Sequence, residues 1–118
     1  IISGLNKLKK FDCDFTFSAT KHSYPIQRSF SLNKKGYVQM LDKSLFFSRS
    51  QELEDTYHDA GQFYWGKSKS WLEQKIIFDT NSRPIILPLG KVHDIDTIED
   101  WEYAEKLSYI NDINEKFK

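Results

Sequence analysis

Between Phe11 and Ala19 apolar and polar residues alternate without a break: Phe11, Cys13, Phe15, Phe17 and Ala19 interleave with Asp12, Asp14, Thr16 and Ser18. A β-strand sends successive side chains to opposite faces, so this period predicts a strand with one face buried. Helical spacing brackets it. Ile1, Ile2, Leu5 and Leu8 recur like the tail of an amphipathic helix already under way at the first residue. Thr97 begins the longest helix, with Asp100 as its cap partner. Its apolar positions Ile98, Trp101, Ala104, Leu107, Ile110 and Ile113 recur every third residue, and the closing NDINEKFK segment is expected to fray.

Between these elements, Pro25 keeps Tyr24 out of helical geometry and favours an open polar excursion. Ile26 to Met40 reads as a hairpin turning at Asn33-Lys34-Lys35-Gly36, and such an arm cannot bury both of its faces by itself. Ser48 and Gln51 have capping-box spacing ahead of a short acidic turn through Glu54 and Asp55. GQFYWG, residues 61 to 66, is an aromatic strand between glycines; residues 68 to 74 form a short helix. Ile85, Ile86 and Leu87 between Pro84 and Pro88 make a short run suited to a buried strand. Strands alternating with helices imply an α/β layer structure with a mainly parallel sheet. Only about one and a half βαβ units are visible, so residues 1–118 are expected to be a single incomplete domain.

Composition narrows the function. The 17 basic and 17 acidic side chains cancel, which gives no general attraction to nucleic acid or anionic lipid. An aromatic content of 15% argues against disorder, and no apolar run is long enough for a spanning helix. With Cys13 alone, no internal disulfide or cysteine zinc cluster can form, and a reducing, cytoplasmic setting is expected.

Three groups of residues carry candidate chemistry. On an extended segment, Asp94 and Asp96 in His93-Asp94-Ile95-Asp96-Thr97 project to one side, and two anionic oxygen ligands suit Mg2+. The same residues also suit a helix cap beside a solvated carboxylate. In Tyr57-His58-Asp59-Ala60-Gly61-Gln62-Phe63-Tyr64-Trp65-Gly66, alternation sets Gln62 and Tyr64 on one side, with Phe63 and Trp65 on the other. Amide, hydroxyl and flat apolar groups fit a sugar-like ligand, and equally an aromatic core strand. Arg28 and Arg49 flank the hairpin; their planar forks match carboxylate or phosphate, or they are solvated surface groups. There is no glycine-rich phosphate loop, GxSxG or HExxH.

Taken in order, DFTFSAT, YPIQRSF, SRSQELEDTYHDAGQFYWG and HDIDTIEDWEYAE resemble the C-terminal portion of the acylneuraminate cytidylyltransferase family (CMP-sialic acid synthetases), in particular its pseudaminic acid members. The match runs from about Phe11 to Leu107. The resemblance implies a nucleotidyltransferase (Rossmann-like) α/β sheet with a swapped β-hairpin dimerisation arm, here residues 20–51, and hence a homodimer. It implies transfer of CMP from CTP to a nine-carbon acidic sugar with release of pyrophosphate, dependent on Mg2+. By motif position, Asp94 and Asp96 would be the metal pair, Gln62 and Tyr64 would lie in the sugar pocket, and Arg28 and Arg49 would meet the sugar carboxylate. Ala60-Gly61, where sialic acid enzymes typically carry Asn-Gly, favours pseudaminate or a related sugar over N-acetylneuraminate, and an N-acetylneuraminate or legionaminate cytidylyltransferase is the alternative within the enzyme class. The family's N-terminal half, with its CTP-binding loop, has no counterpart in the sequence, so these residues alone are expected to be inactive. A non-catalytic dimerisation or sugar-binding remnant, and a lectin-like module, are the alternatives from other classes.

Overall fold

The computed structural model describes residues 1–116. In chain order the elements are α1 (Ile2–Phe11), β1 (Phe15–Lys21), β2 (Phe30–Leu32), β3 (Val38–Met40), β4 (Tyr57–Gly66), α2 (Ser68–Leu72), β5 (Ser82–Leu87) and α3 (Ile98–Lys116). The chain divides into two compact units, one of residues 1–20 with 59–118 and one of residues 21–58.

The first unit is an α/β structure on a three-stranded sheet of order β4-β1-β5. β1 and β5 are parallel, with Phe15 opposite Ser82 and Thr20 opposite Leu87. Along β4 the order reverses: Lys67 N–H donates to Asp14 O, whereas Gln62 N–H reaches Ser18 farther along β1. The sheet is therefore mixed, not mainly parallel, because the chain returns from residues 21–58 directly beside β1. The central strand is also more buried than its alternation predicts. Phe15 to Thr20 are all buried, the polar face included. Small hydroxyls permit this because each finds a partner: Thr16 Oγ1 donates to Gly4 O (2.9 Å), Ser18 Oγ accepts from Gln62 N–H (2.9 Å), and Thr20 Oγ1 donates to Leu87 O (3.0 Å).

α1 lies against β4 and β5. A Cβ on Gly4 would stand 2.5 Å from the Phe63 ring and 3.0 Å from that of Trp65, so only glycine lets the helix come this close. Lys7 Nζ donates to Pro84 O, and Gly4 and Leu8 form the buried stripe, whereas Ile1 and Ile2 are exposed. The sheet supports Phe15 and Phe17, met edge-on by Trp71 and Phe78. β5 is less covered than its apolar run predicts: Ile86 is 47% exposed, since β5 is an edge of this sheet.

Where β1 begins, Asp14 accepts from Ser70 Oγ (2.6 Å), Asn81 Nδ2 (2.9 Å) and Lys75 Nζ (3.0 Å), tying β1 to α2 and to the entry of β5. The Ser70 hydroxyl, then Asn81 and Lys75, hold its carboxyl well below the usual carboxylate range. A depressed folded pKa contributes stability that is complete above the unfolded value, near pH 4, and lost as pH falls below it. Acid unfolding of Asp14→Asn should accordingly show a shallower decline below about pH 4 than the parent chain. Parallel curves in an acid titration followed by circular dichroism would remove Asp14 from the acid transition.

α3 opens with the reciprocal cap expected at Thr97 and Asp100: Asp100 Oδ2 accepts from Thr97 N–H (2.9 Å), and Asp100 N–H donates to Thr97 Oγ1 (3.2 Å). The helix continues through residues 111–116 of the segment expected to fray, whose last two positions lie outside the described residues. Its expected apolar face is covered only at Ala104 and Leu107; Ile98, Trp101 and Ile110 stand more than half exposed. No helix among the described residues is long and apolar enough to cross a membrane.

In the second unit, β2 and β3 pair antiparallel, with Phe30 opposite Met40. Asn33 Oδ1 accepts from Lys35 and Tyr37 N–H, and Gly36 takes φ 81°, closing the turn as read. Residues 26–28 form a 3-10 turn instead of strand. Phe30, Leu32, Tyr37 and Val38 are all more than half exposed, so both faces of the hairpin stay open. The expected Ser48–Gln51 cap is displaced by one residue. The 3-10 turn is Ser50–Glu52, where Arg49 N–H donates to the Glu52 carboxylate; it stops before Glu54, and Asp55 pairs with Lys21.

Candidate functional site

β4 presents Gln62 and Tyr64 outward and turns Phe63 and Trp65 towards α1, the division its alternation predicts. The strand is longer than residues 61–66, starting at Tyr57, and Gly61 bends it with φ 64° while its N–H donates to Asp59 Oδ1. Both polar groups are engaged. The Tyr64 hydroxyl donates to Asp59 Oδ2, and that bond to a carboxylate pushes the phenol pKa up. Gln62 Nε2 donates to Lys91 O at 2.8 Å, linking β4 to the segment after β5. The Tyr64 hydroxyl and one N–H of the Gln62 amide are thus committed, while Gln62 Oε1 and the Tyr64 oxygen lone pairs have no donor among the described residues.

That segment carries the acidic pair. β5 passes through Pro88 into a 3-10 turn, Leu89–Lys91, and Val92 leaves it in extended geometry (φ −127°, ψ 116°). The chain then runs to Thr97 beyond the carboxyl end of a parallel strand, where open α/β sheets bind ligands. Asp94 and Asp96 are both exposed, and neither carboxylate has a partner among the described residues. Asp100 is spent differently. Its carboxylate accepts from Thr97 Oγ1 (2.8 Å), Thr97 N–H (2.9 Å) and Asp96 N–H (3.3 Å), and these bonds, the Thr97 hydroxyl foremost, lower its pKa. His93 Nε2 lies 3.8 Å from Asp100 Oδ1, and its ring centroid lies 5.0 Å from that of Tyr103.

Among the described residues no three His, Cys, Asp or Glu side chains converge to hold a cation. The donor set at Asp94 and Asp96 is two exposed carboxylates, and Mg2+ commonly takes one or two carboxylates with water and phosphate oxygens.

In the second unit Arg28 ends its 3-10 turn and donates from Nη1 to Ser50 Oγ at 3.4 Å, which brings it beside the segment of Arg49. Both arginines are exposed. Ser50 also lines a cleft of about 210 Å3 formed with His22, Tyr24, Leu53 and Glu54. Sequence reading missed Lys91 and Asn111. Asn111 Nδ2 donates to Gly90 O at 2.9 Å, a tie across 21 positions that no local pattern signals.

No family model matches the chain. It is 50% identical over 97 residues to pseudaminic acid cytidylyltransferases of Campylobacter jejuni serotypes O:2 and O:23/36, a match covering 82% of this chain and 42% of each relative, in their C-terminal part. It is 38% identical over 87 residues to a Helicobacter pylori protein named as both pseudaminic acid cytidylyltransferase and UDP-2,4-diacetamido-2,4,6-trideoxy-beta-L-altropyranose hydrolase, covering 74% of this chain and 16% of that protein. The chain spans less than half the length of these relatives.

Proposed function

We propose, for a chain that belongs to the pseudaminic acid cytidylyltransferases, that it forms the metal- and sugar-binding part of an enzyme transferring CMP from CTP to pseudaminic acid. The observation that carries this reading is the identity over 97 residues, which includes the segments of Gln62, Tyr64, Asp94 and Asp96. In this reaction the anomeric oxygen of the sugar bonds to the α-phosphorus of CTP as pyrophosphate leaves. Asp94 and Asp96 would hold Mg2+, which when bound supplies positive charge to phosphate oxygens. Their exposure, and the lack of competing partners for either carboxylate among the described residues, support this assignment. Gln62 and Tyr64 would accept from sugar hydroxyls through the oxygens that their own bonds leave open. Arg28 and Arg49, carried on the arm into the partner subunit's site, would pair with the carboxylate of the sugar bound there. The three-stranded sheet would form part of a Rossmann-like nucleotidyltransferase, and the open hairpin would serve as the arm of a homodimer. Its exposed Phe30, Leu32 and Val38 support a covered position.

A chimaera tests the reading. This chain, placed in the Campylobacter jejuni enzyme in place of the matched part, should release pyrophosphate from CTP with pseudaminic acid. A chimaera that folds and binds CTP without releasing pyrophosphate would remove the catalytic reading in favour of a binding remnant. The 118 residues by themselves should show no turnover, because no glycine-rich loop in the sequence cradles a triphosphate, and positioning both reactants supplies much of the rate. Pyrophosphate release by the isolated chain above the uncatalysed rate would refute that.

A further inference from the structure

Asp100 and Asn111 are eleven residues apart on α3, which at 100° per residue places them on one face, about 16 Å apart along the axis. Each takes hold of the segment that runs from β5 to the helix. Asn111 binds Gly90 O at its beginning, and Asp100 accepts from Asp96 N–H and Thr97 N–H at its end. Between them the His93 ring meets that of Tyr103, with the two planes tilted by 51°. The order of contacts shows the segment running alongside α3 towards its N-terminus. From Gly90 to Asp96 is six residue steps, at most about 20 Å if all were extended, and the 3-10 turn that holds Gly90 and Lys91 shortens that reach. A span of about 16 Å leaves little slack, and Val92 is extended as this requires.

Resting on the metal-pair reading of Asp94 and Asp96, we propose that Asp100 and Asn111 are positioning residues. They hold the chain that follows the 3-10 turn, residues 92–96, along α3, so that Asp94 and Asp96 stand on one side of the segment before any cation or phosphate arrives. The physical reason is the two-residue period of extended chain: same-side projection survives only while the segment stays extended. Released at Gly90, the segment can shorten, and the two carboxylates turn apart. Gln62, bound to Lys91 O, adds a lateral tie from β4 near the Asn111 end. The preorganisation therefore comes from α3 and β4, not from the cation.

The test uses this chain and Mn2+ as the probe cation, with free Mn2+ read by electron paramagnetic resonance and amide exchange read by NMR. Asn111→Leu removes the donor. Asn111→Asp removes it with almost no change in shape, and Asn111→Gln keeps a donor. The first two should weaken Mn2+ binding about tenfold, the lower end of the effect of outer-shell partners, and speed exchange at Asp96 and Thr97, whose N–H groups are bonded to Asp100. Asn111→Gln should recover part of both, and Asp100→Asn should reproduce the loss from the other end. Unchanged affinity and exchange in Asn111→Asp would overturn the proposal. So would faster exchange spread evenly over α3, which marks a merely structural role. Asp94→Asn separates the two claims. If it leaves Mn2+ binding intact, the metal-pair reading falls, and exchange at Asp96 and Thr97 alone decides whether α3 holds the segment.

Discussion

Replacing Asp94 by Asn in the chimaeric enzyme should lower kcat about 10^2- to 10^3-fold at millimolar Mg2+, while leaving thermal stability almost unchanged. The two halves of this expectation have separate causes. Removing one preorganised electrostatic contact to developing charge costs about 3–4 kcal/mol of transition-state stabilisation. The folded state loses nothing comparable, because the Asp94 carboxylate is exposed and bonds to no described residue. Exposed substitutions of this kind stay within about 0.5 kcal/mol. Asp96→Asn should match it, since the Asp96 backbone N–H, not its carboxylate, makes the bond to Asp100. If the two carboxylates act as one unit, the double variant should be scarcely worse than either single one. A wild-type rate in Asp94→Asn, measured as pyrophosphate release across a Mg2+ titration, would take Asp94 out of the metal site.

What could be read in advance was what is local. The Thr97–Asp100 cap needs only three residues of spacing, and it forms as read. The split of Gln62 and Tyr64 from Phe63 and Trp65 follows from the period of a strand and also holds. Burial is not local. Alternation at residues 11–19 announced one buried face, yet Thr16, Ser18 and Thr20 are buried too, because their partners Gly4, Gln62 and Leu87 arrive from other elements. The converse failure occurs at Ile86 and along α3, where an apolar pattern promised cover that the described residues do not give. Local capping also misled once. Ser48 and Gln51 have the right spacing, but the turn closes one residue later, through Arg49 N–H and Glu52. The candidate site divides in the same way. Asp94 and Asp96 stand out as a pair in sequence. The ties that fix their segment, Gln62 to Lys91 and Asn111 to Gly90, span 29 and 21 positions and have no periodic signature.

The largest effect on stability is expected at Phe15. The ring is fully buried, and Trp71 meets it edge-on with centroids 4.9 Å apart. Phe15→Ala should cost about 3–5 kcal/mol, because the lost transfer free energy is joined by a cavity that a sheet strand cannot collapse to fill. That is a large share of the roughly 5–15 kcal/mol that holds a domain together. Gly66 probes the same ring from the opposite direction. A Cβ there would stand 2.6 Å from Phe15 Cδ1 and 2.5 Å from Trp71 Nε1, so Gly66→Ala overfills the space that Phe15→Ala empties. Alone it should cost about 1–3 kcal/mol. Phe15→Leu removes ring atoms in the path of that Cβ, so Gly66→Ala should be less harmful in its presence, giving a favourable coupling of about 0.5 kcal/mol or more in urea unfolding. Strict additivity would mean that the ring and the glycine do not share one packed space. Less than about 1 kcal/mol lost in Phe15→Ala would place the core of this sheet elsewhere, since a fully buried Phe truncated to Ala leaves a void that costs several times more.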